Sequence, residues 1–275
     1  MRLLSMLAAA TVVMVAAPAV AQDWRDVPAE NLLIIDTTKG RVMIELLPDL
    51  APNHVERIKV LTLQRFYDGL KFHRVIDGFM AQTGDPLGTG AGGSDLPDLT
   101  DEFGFRRARS PLFMAAPNAG EGTYGFYAGV PIQTQPDAQM MVTADGRVPA
   151  VPLFCPGVVG MAKSTAPNTA NSQFFIMTGV YAPMNGQYTA FGHVVSGQDT
   201  IEALNDGPRE QDGKVANPDV MTRVRVAADL PDAERPSVRV AASGSAAYQA
   251  ALDAARDSSG RLDLCGVTPP VEAPK

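Results

Sequence analysis

Residues 72–85 read F-H-R-V-I-D-G-F-M-A-Q-T-G-D and carry a clear local signal of structure. The D-G pair in its middle is a tight-turn signal between two short stretches that read as strands, residues 71–76 and 79–83. Because residues two apart on a strand point to one face, Met80 and Gln82 are expected side by side. The stretch therefore predicts two strands joined by a turn.

Alternating apolar residues extend this pattern in both directions. Val42, Ile44 and Leu46 alternate with other side chains at the period of a half-buried strand. Together with the apolar run 32–37, residues 41–46 predict a second hairpin. Further strands are predicted downstream at residues 172–177, 190–195 and 221–227.

Two helices are predicted beside these strands. Pro52 and Asn53 open the first, with Asn53 as its N-cap, and Gly69 ends it. The second is short and covers residues 199–204. Short strands separated by turn signals, with few helices, predict a mostly β protein with a closed or sandwiched antiparallel sheet.

Two segments do not fit the pattern. Residues 103–157 are rich in glycine, proline and aromatic residues without a clear period, so an irregular insertion is predicted. Residues 236–275 form a C-terminal extension, in which 245–256 predict a helix before a proline-rich tail. The predicted organisation is one domain, residues 22–235, followed by this extension.

The composition excludes several classes of function. The chain has 275 residues, of which 45% are hydrophobic and 19% charged, and its formal net charge is −7. This balance is typical of a globular protein and argues against a general nucleic-acid or anionic-membrane surface. Two cysteines and three histidines are too few for a structural zinc cluster and leave little for a catalytic metal. We therefore expect no metal, no cofactor and no nucleic-acid partner.

The N-terminus is predicted to be a targeting segment. Arg2 precedes an uncharged apolar run, and Ala19-Val20-Ala21 is a small-x-small cleavage pattern. A membrane anchor is disfavoured because the run is shorter than the roughly 20 residues that span a bilayer. We therefore expect a signal peptide over residues 1–21, cleavage near Ala21, no stable membrane insertion, and a periplasmic or secreted protein.

Export also bears on the two cysteines. An exported chain folds where disulfides form and persist, so Cys155 and Cys265 are predicted to pair. The alternative is two unrelated buried thiols. A bond between them would link the insertion to the C-terminal extension.

The motifs resemble those of one family. Residues 72–85 and 160–176, the latter reading G-M-A-K-S-T-A-P-N-T-A-N-S-Q-F-F-I, occur in the order and spacing of cyclophilin-type peptidyl-prolyl cis-trans isomerases. The resemblance spans residues 32–230 apart from the insertion. It implies a closed eight-stranded antiparallel β-barrel capped by two helices. It also implies an enzyme that accelerates X-Pro bond rotation in proline-containing polypeptides without a cofactor.

Arg74 is the catalytic residue that the resemblance implies. Amide resonance gives an X-Pro bond a rotation barrier of about 20 kcal/mol. As the bond twists, the lone pair localises on the proline nitrogen, so a donor aimed at that nitrogen binds the transition state better than the planar ground state. A guanidinium suits this task because it is always charged and only donates. The alternative, a solvated surface arginine, is disfavoured inside this motif.

A substrate site is assigned in the same way, with an apolar proline pocket, a polar pair and a main-chain contact. The resemblance places Phe79, Met80, Phe175 and Met184 in the pocket wall, Gln82 and Gln173 in the polar pair, Ala162 and Lys163 at the main-chain contact, and Tyr188 at the rim. Without the resemblance, an apolar residue on a strand is more often a core residue.

One departure from the family pattern affects ligands and activity. Pro183-Met184 stands where many members carry tryptophan followed by leucine, and the only tryptophan, Trp24, lies beside the predicted cleavage site. Because that tryptophan helps to bind cyclosporin in sensitive members, weak or no cyclosporin binding is expected. The departure leaves open a second function, that of a non-catalytic proline-peptide-binding or holdase chaperone.

Two further stretches have candidate roles. Tyr124, Phe126 and Tyr127 in the insertion are candidates for selecting the residues that precede proline, and the alternative is a cover without selectivity. Residues 88–93 read G-T-G-A-G-G and fit a phosphate-binding pattern. No helix is predicted after them, so they indicate a glycine loop only.

Overall fold

The computed structural model describes residues 23–274, and the predicted leader, residues 1–21, lies outside the described residues. Most regular structure is β. In chain order the strands are β1 (Trp24–Asp26), β2 (Leu32–Thr37), β3 (Gly40–Leu46), β4 (Arg74–Ile76), β5 (Met80–Thr83), β6 (Phe105–Arg107), β7 (Phe113–Ala115), β8 (Thr123–Tyr127), β9 (Val130–Thr134), β10 (Val148–Pro152), β11 (Val158–Met161), β12 (Phe174–Met177), β13 (Ala190–Ser196), β14 (Met221–Val226), β15 (Arg239–Ala241) and β16 (Val271–Glu272). The α-helices are α1 (Pro52–Leu63), α2 (Gln198–Glu202) and α3 (Ala246–Ala254).

The largest sheet contains eight antiparallel strands in the order β14-β2-β3-β13-β11-β12-β5-β4. Backbone hydrogen bonds beside the two outer strands connect its edges. The Phe72 N–H donates to the Asp219 carbonyl at 2.9 Å, and the Val75 N–H donates to the Gly213 carbonyl at 2.9 Å. Such bonds join the edges in the way that a closed barrel requires. The predicted mostly β fold class is confirmed.

Strand β3 shows how the barrel is covered on both faces. Val42, Ile44 and Leu46 are fully buried in the main core, as their alternation predicts. Met43, on the opposite face, is also buried, in a second apolar cluster that includes Val240. The strand is therefore not half-buried, because segments from both ends of the described chain cover the outside of the barrel here.

Helix α1 packs on the barrel through Val55, Ile58 and Leu61, which are buried in the main core. It begins at Pro52 and ends at Leu63, and the prediction that Asn53 is its N-cap was wrong. The Glu102 carboxylate instead accepts the backbone N–H groups of Asn53 and His54, at 3.3 and 3.2 Å. A carboxylate from a distant segment thus satisfies the free donors of the helix N-terminus.

The insertion is more regular than predicted. It contains a five-stranded antiparallel sheet in the order β6-β10-β9-β8-β7. The expectation of an irregular segment was wrong because β9 and β10 contain prolines, which normally argue against a strand. Ala128 and Gly129, both at positive φ, make the turn between β8 and β9.

The C-terminal extension is tied to the rest of the molecule in three ways. Its strand β15 pairs with both β1 and β16 in a three-stranded sheet. Helix α3, capped by the Ser245 hydroxyl, buries Tyr248 and Leu252 in a cluster with Phe126 of the insertion. A disulfide joins Cys155 to Cys265, with Cα atoms 5.0 Å apart.

Candidate active site

Arg74 lies at the start of β4, directly opposite Gln82 in the β4–β5 ladder. Its guanidinium donates to the Gln82 Oε1 at 3.1 Å. On the other side it donates to the Asp212 carbonyl at 3.1 Å and to the Asp212 carboxylate at 2.8 Å. The Met80 sulfur lies 3.8 Å from Nη1, and the Phe79 ring centroid lies 6.0 Å from Cζ. The charged group is thus held between a polar clamp and an apolar surface, and its side chain keeps 28% of its surface exposed.

The two predicted glutamines form a chain of hydrogen bonds behind Arg74. The Gln82 Nε2 donates to the Gln173 Oε1 at 2.9 Å. The Gln173 Nε2 donates to the carbonyls of Gly90 and Gly92, at 3.0 and 2.8 Å. Because the Gln82 amide donates through its nitrogen to Gln173, its oxygen must face Arg74.

The glycine loop at 88–93 is held by the carboxylate of Asp85, which precedes it in the chain. Asp85 accepts the backbone N–H groups of Leu87, Thr89 and Gly90 at 2.7, 2.8 and 2.6 Å. Burial alone would raise the pKa of Asp85, but these N–H groups outweigh it and lower that pKa. The loop is therefore a structural part of the site wall.

Apolar side chains of the main core lie next to Arg74, and we call this group the apolar socket. Met80 and Phe175 are buried, and Met184 is buried in the turn Ala182–Met184. The Phe175 ring meets the Tyr188 ring edge-on, with centroids 6.0 Å apart. Phe79 is half-buried at the mouth. The fold thus brings together the proline-pocket residues that the resemblance assigned.

The proposed main-chain contact lies on the far side of the glutamine relay. Ala162 donates its backbone N–H to the Gln173 carbonyl at 2.9 Å. Ala162 and Lys163 line a pocket of about 450 Å³ together with Gln82 and Gln173. The Lys163 ammonium lies 5.3 Å from the Tyr188 ring centroid, within cation–π range.

The three histidines lie apart from any metal-like arrangement. His54 contacts Glu102 at 2.7 Å, and His193 contacts Glu45 at 3.1 Å. His73 is buried beside Arg74, and burial lowers its pKa, so its imidazole is neutral near pH 7 and adds no second cation. Within residues 23–274, no three His, Cys, Asp or Glu side chains are grouped to hold a metal ion. No helix in that range is long and apolar enough to cross a membrane.

Comparison with known proteins places this chain in a family. Residues 32–226 match the family model described as "Cyclophilin type peptidyl-prolyl cis-trans isomerase/CLD". The chain belongs to this family. A Brucella suis protein named "Probable peptidyl-prolyl cis-trans isomerase" is 37% identical over 211 residues, covering 73% of this chain and 84% of that protein. A putative isomerase of Staphylococcus saprophyticus is 32% identical over 189 residues, covering 66% and 86%.

A solved structure extends the likeness beyond the barrel. The crystal structure of cyclophilin AquaCyp293 from Hirschia baltica has a TM-score of 0.80 and 34% identity, covering 91% of this chain and 93% of that one. This cyclophilin is accordingly a peptidyl-prolyl cis-trans isomerase.

Three residues of the site were missed at the sequence level. Asp212, which clamps Arg74, is 138 positions away and has no motif of its own. Phe154 lies just after the insertion sheet, with its ring centroid 5.8 Å from that of Phe175. Tyr181 packs on Phe79 with centroids 4.9 Å apart. An aromatic residue in the poorly patterned insertion was the only available signal for Phe154.

The proposed selectivity role of the insertion aromatics needs correction. Phe126 is fully buried, and Tyr127 is buried with its hydroxyl donating to Asp49 at 2.6 Å. Neither can contact a substrate, because both belong to the packing between the insertion and its neighbours. Tyr124 alone of the three lines a cavity.

Proposed function

We propose that this cyclophilin accelerates X-Pro rotation without a covalent step, with Arg74 donating to the proline nitrogen as the bond twists. The observation that carries this proposal is the clamp on the Arg74 guanidinium. Gln82 and Asp212 hold it from two sides beside the apolar socket of Met80 and Phe175. A donor fixed in advance needs no reorganisation when the lone pair develops.

The apolar socket and the Arg74 guanidinium have different roles. The socket binds the pyrrolidine ring and keeps it in place. On the other side of the rotating bond, the second Nε2 hydrogen of Gln82, which the relay does not use, donates to the peptide. An acceleration of about 10⁵-fold requires about 7 kcal/mol. One charge-assisted hydrogen bond contributes about 1.5–3 kcal/mol, so orientation of the peptide must supply the remainder.

The proposed clients are proline-containing segments of exported proteins. Two observations support this. The sequence of residues 1–21 has the order of a signal peptide. The bond between Cys155 and Cys265 is of the kind that persists in oxidising compartments such as the periplasm or the extracellular space.

The decisive experiment is a prolyl-isomerase assay on the purified protein and its Arg74→Ala variant. We expect kcat/KM to fall by about 100-fold or more, as when a transition-state donor is removed. Arg74→Lys should also be impaired, because a lysine keeps the charge but loses the planar fork. Arg106→Ala is the matched control, since Arg106 is an exposed arginine of the insertion paired with Asp145.

Equal rates for the wild type and Arg74→Ala would reject the catalytic role of Arg74. Suppression of client aggregation without any isomerisation would favour the holdase function instead.

A further inference from the structure

A second cavity of about 580 Å³ lies beside the socket and is built from parts added to the barrel. Its walls come from the insertion, from the turn that follows β12 and from the C-terminal extension, and the disulfide is part of its lining. The lining includes Tyr124, Leu153, Val180, Ala182, Ala255 and Leu264.

This cavity and the proline socket share a wall. Phe154 lines the cavity, and its ring lies 5.8 Å from Phe175 and 6.5 Å from Tyr188, both socket residues. The side-chain oxygen of Asn185, also in the lining, accepts the Phe154 N–H at 2.8 Å. The pocket of about 450 Å³ beside the glutamine relay has no residue in common with this cavity.

An exposed apolar strip connects the socket mouth to the cavity. Tyr181 packs on Phe79 and keeps 45% of its surface exposed, and Val180 beside it is 60% exposed. Exposed large apolar side chains next to a binding pocket indicate a contact surface. Val180 also lines the cavity, so the strip joins the cavity to Phe79 at the edge of the socket.

The two carboxylates of the cavity lining, Asp257 and Asp263, form hydrogen bonds within their own turns. Asp257 accepts the N–H groups of Ser259 and Arg261, at 2.8 and 3.1 Å. Asp263 accepts the Cys265 N–H at 3.0 Å. Each carboxylate is thereby engaged in its own turn. The rest of the lining combines the apolar side chains with Gln133, Asn185 and Arg261.

We propose that this cavity is an extended subsite for the client polypeptide, which takes a large apolar side chain on one flank of the proline. This flank lies on the side of the proline that faces away from the glutamine relay. The inference rests on the proposed function, since it assumes that the socket binds proline. It assigns the insertion and the extension a role in selecting clients.

Peptide binding tests the subsite without requiring catalysis. The probes are alanine-rich peptides with one central proline, in which a single leucine is moved through the positions on either flank. For the wild type we expect leucine on one flank only to lower Kd about tenfold, the effect of filling an apolar pocket. Ala255→Phe, which fills the cavity from the extension, should abolish that gain.

Neighbouring alanines provide the matched control. Ala254 is exposed and does not line the cavity, so Ala254→Phe should keep the leucine gain. If Ala255→Phe does not fold, Val180→Ser on the exposed wall of the cavity tests the subsite instead. In this variant we expect the factor by which leucine lowers Kd to be about threefold smaller than in the wild type. Isomerase rates are measured separately. A wild type without isomerase activity would reject the proposed function, while the dependence of Kd on the leucine position would still test the subsite.

Three results would overturn the subsite. These are a wild-type Kd that does not depend on the leucine position, a gain on both flanks alike, and equal leucine profiles for Ala254→Phe and folded Ala255→Phe or Val180→Ser.

Discussion

At the scale of single residues, the position of Arg74 depends on Asp212. The aspartate contacts the guanidinium through both its carbonyl and its carboxylate, and it sits at φ 52°. Asparagine tolerates this left-handed backbone, so Asp212→Asn removes the charge with little strain. The carboxylate is 79% exposed, which makes the ion pair sensitive to salt.

We therefore expect Asp212→Asn to lower kcat about threefold to tenfold with little change in KM, because a looser guanidinium costs orientation. Added salt should slow the wild type and have less effect on the variant. The measurement is kcat and KM at low and high ionic strength. Asp232→Asn is the control, since Asp232 is an exposed aspartate that also pairs with an arginine. Identical salt slopes for wild type and Asp212→Asn would contradict the positioning role.

A second residue-scale prediction concerns cyclosporin. Pro183 lies exposed in the turn Ala182–Met184 and offers neither an indole N–H nor a large ring. We expect weak or no cyclosporin binding, and Pro183→Trp should tighten it. Calorimetry on both proteins checks this, and a sub-micromolar Kd for the wild type would be inconsistent with it.

At the scale of elements, three strands meet in a buried ionic cluster. Glu45 on β3 contacts Arg25 of β1 at 2.8 Å and His193 of β13 at 3.1 Å. Burial alone would raise the pKa of Glu45, but hydrogen bonds with His193 and Arg25 outweigh it and lower that pKa. A carboxylate with a lowered folded-state pKa stabilises the protein above its unfolded pKa of about 4.3, and this stability is lost as pH falls through the folded value.

We expect Glu45→Gln to reduce the free energy of unfolding at pH 7 by about 2 kcal/mol. The difference between variant and wild type should shrink as the pH falls below the unfolded pKa of about 4.3 and through the lower folded-state pKa, where Glu45 becomes protonated in the wild type as well. Urea unfolding across this pH range is the measurement. If the difference in free energy of unfolding stays constant at all acidic pH values, the charge on Glu45 does not cause the stabilisation.

Strand β11 must contain glycine beneath the socket. A Cβ at Gly160 would lie 2.6 Å from the Phe175 ring and 2.8 Å from the Phe154 ring. Gly160→Ala is therefore expected to displace both rings and to lower kcat/KM about tenfold or more. The double variant Gly160→Ala/Phe154→Leu should recover part of the loss in the same assay. If the two substitutions are simply additive, the rings are not the reason for the glycine.

At the scale of the whole molecule, one covalent bond joins the insertion to the extension. Cys155 and Cys265 are 110 residues apart in sequence. Closing a loop of this length stabilises a folded protein by about 2–4 kcal/mol. We expect reduction to lower the melting temperature by about 5–10 °C. Cys155→Ala/Cys265→Ala should melt at the reduced value and not respond to reductant. Titration of two free thiols in the denatured, unreduced protein would rule the bond out.

Local patterns in the sequence determined much of the barrel. The period-two alternation in β3, the turn between β4 and β5, and the motif around Arg74 each depend on residues close together in the chain. For that reason the mostly β class and the neighbourhood of Gln82 and Met80 were accessible without coordinates.

Contacts between distant segments could not be predicted from the sequence and became visible in the folded molecule. The Asp212 clamp on Arg74 follows from closing the sheet edges, and the Glu102 cap on α1 follows from the path of the chain before the insertion. The insertion sheet was hidden because its prolines interrupt the local pattern, while its pairing partners lie in other segments. Contacts between residues far apart in sequence depend on how the whole chain packs, and no local period carries that information.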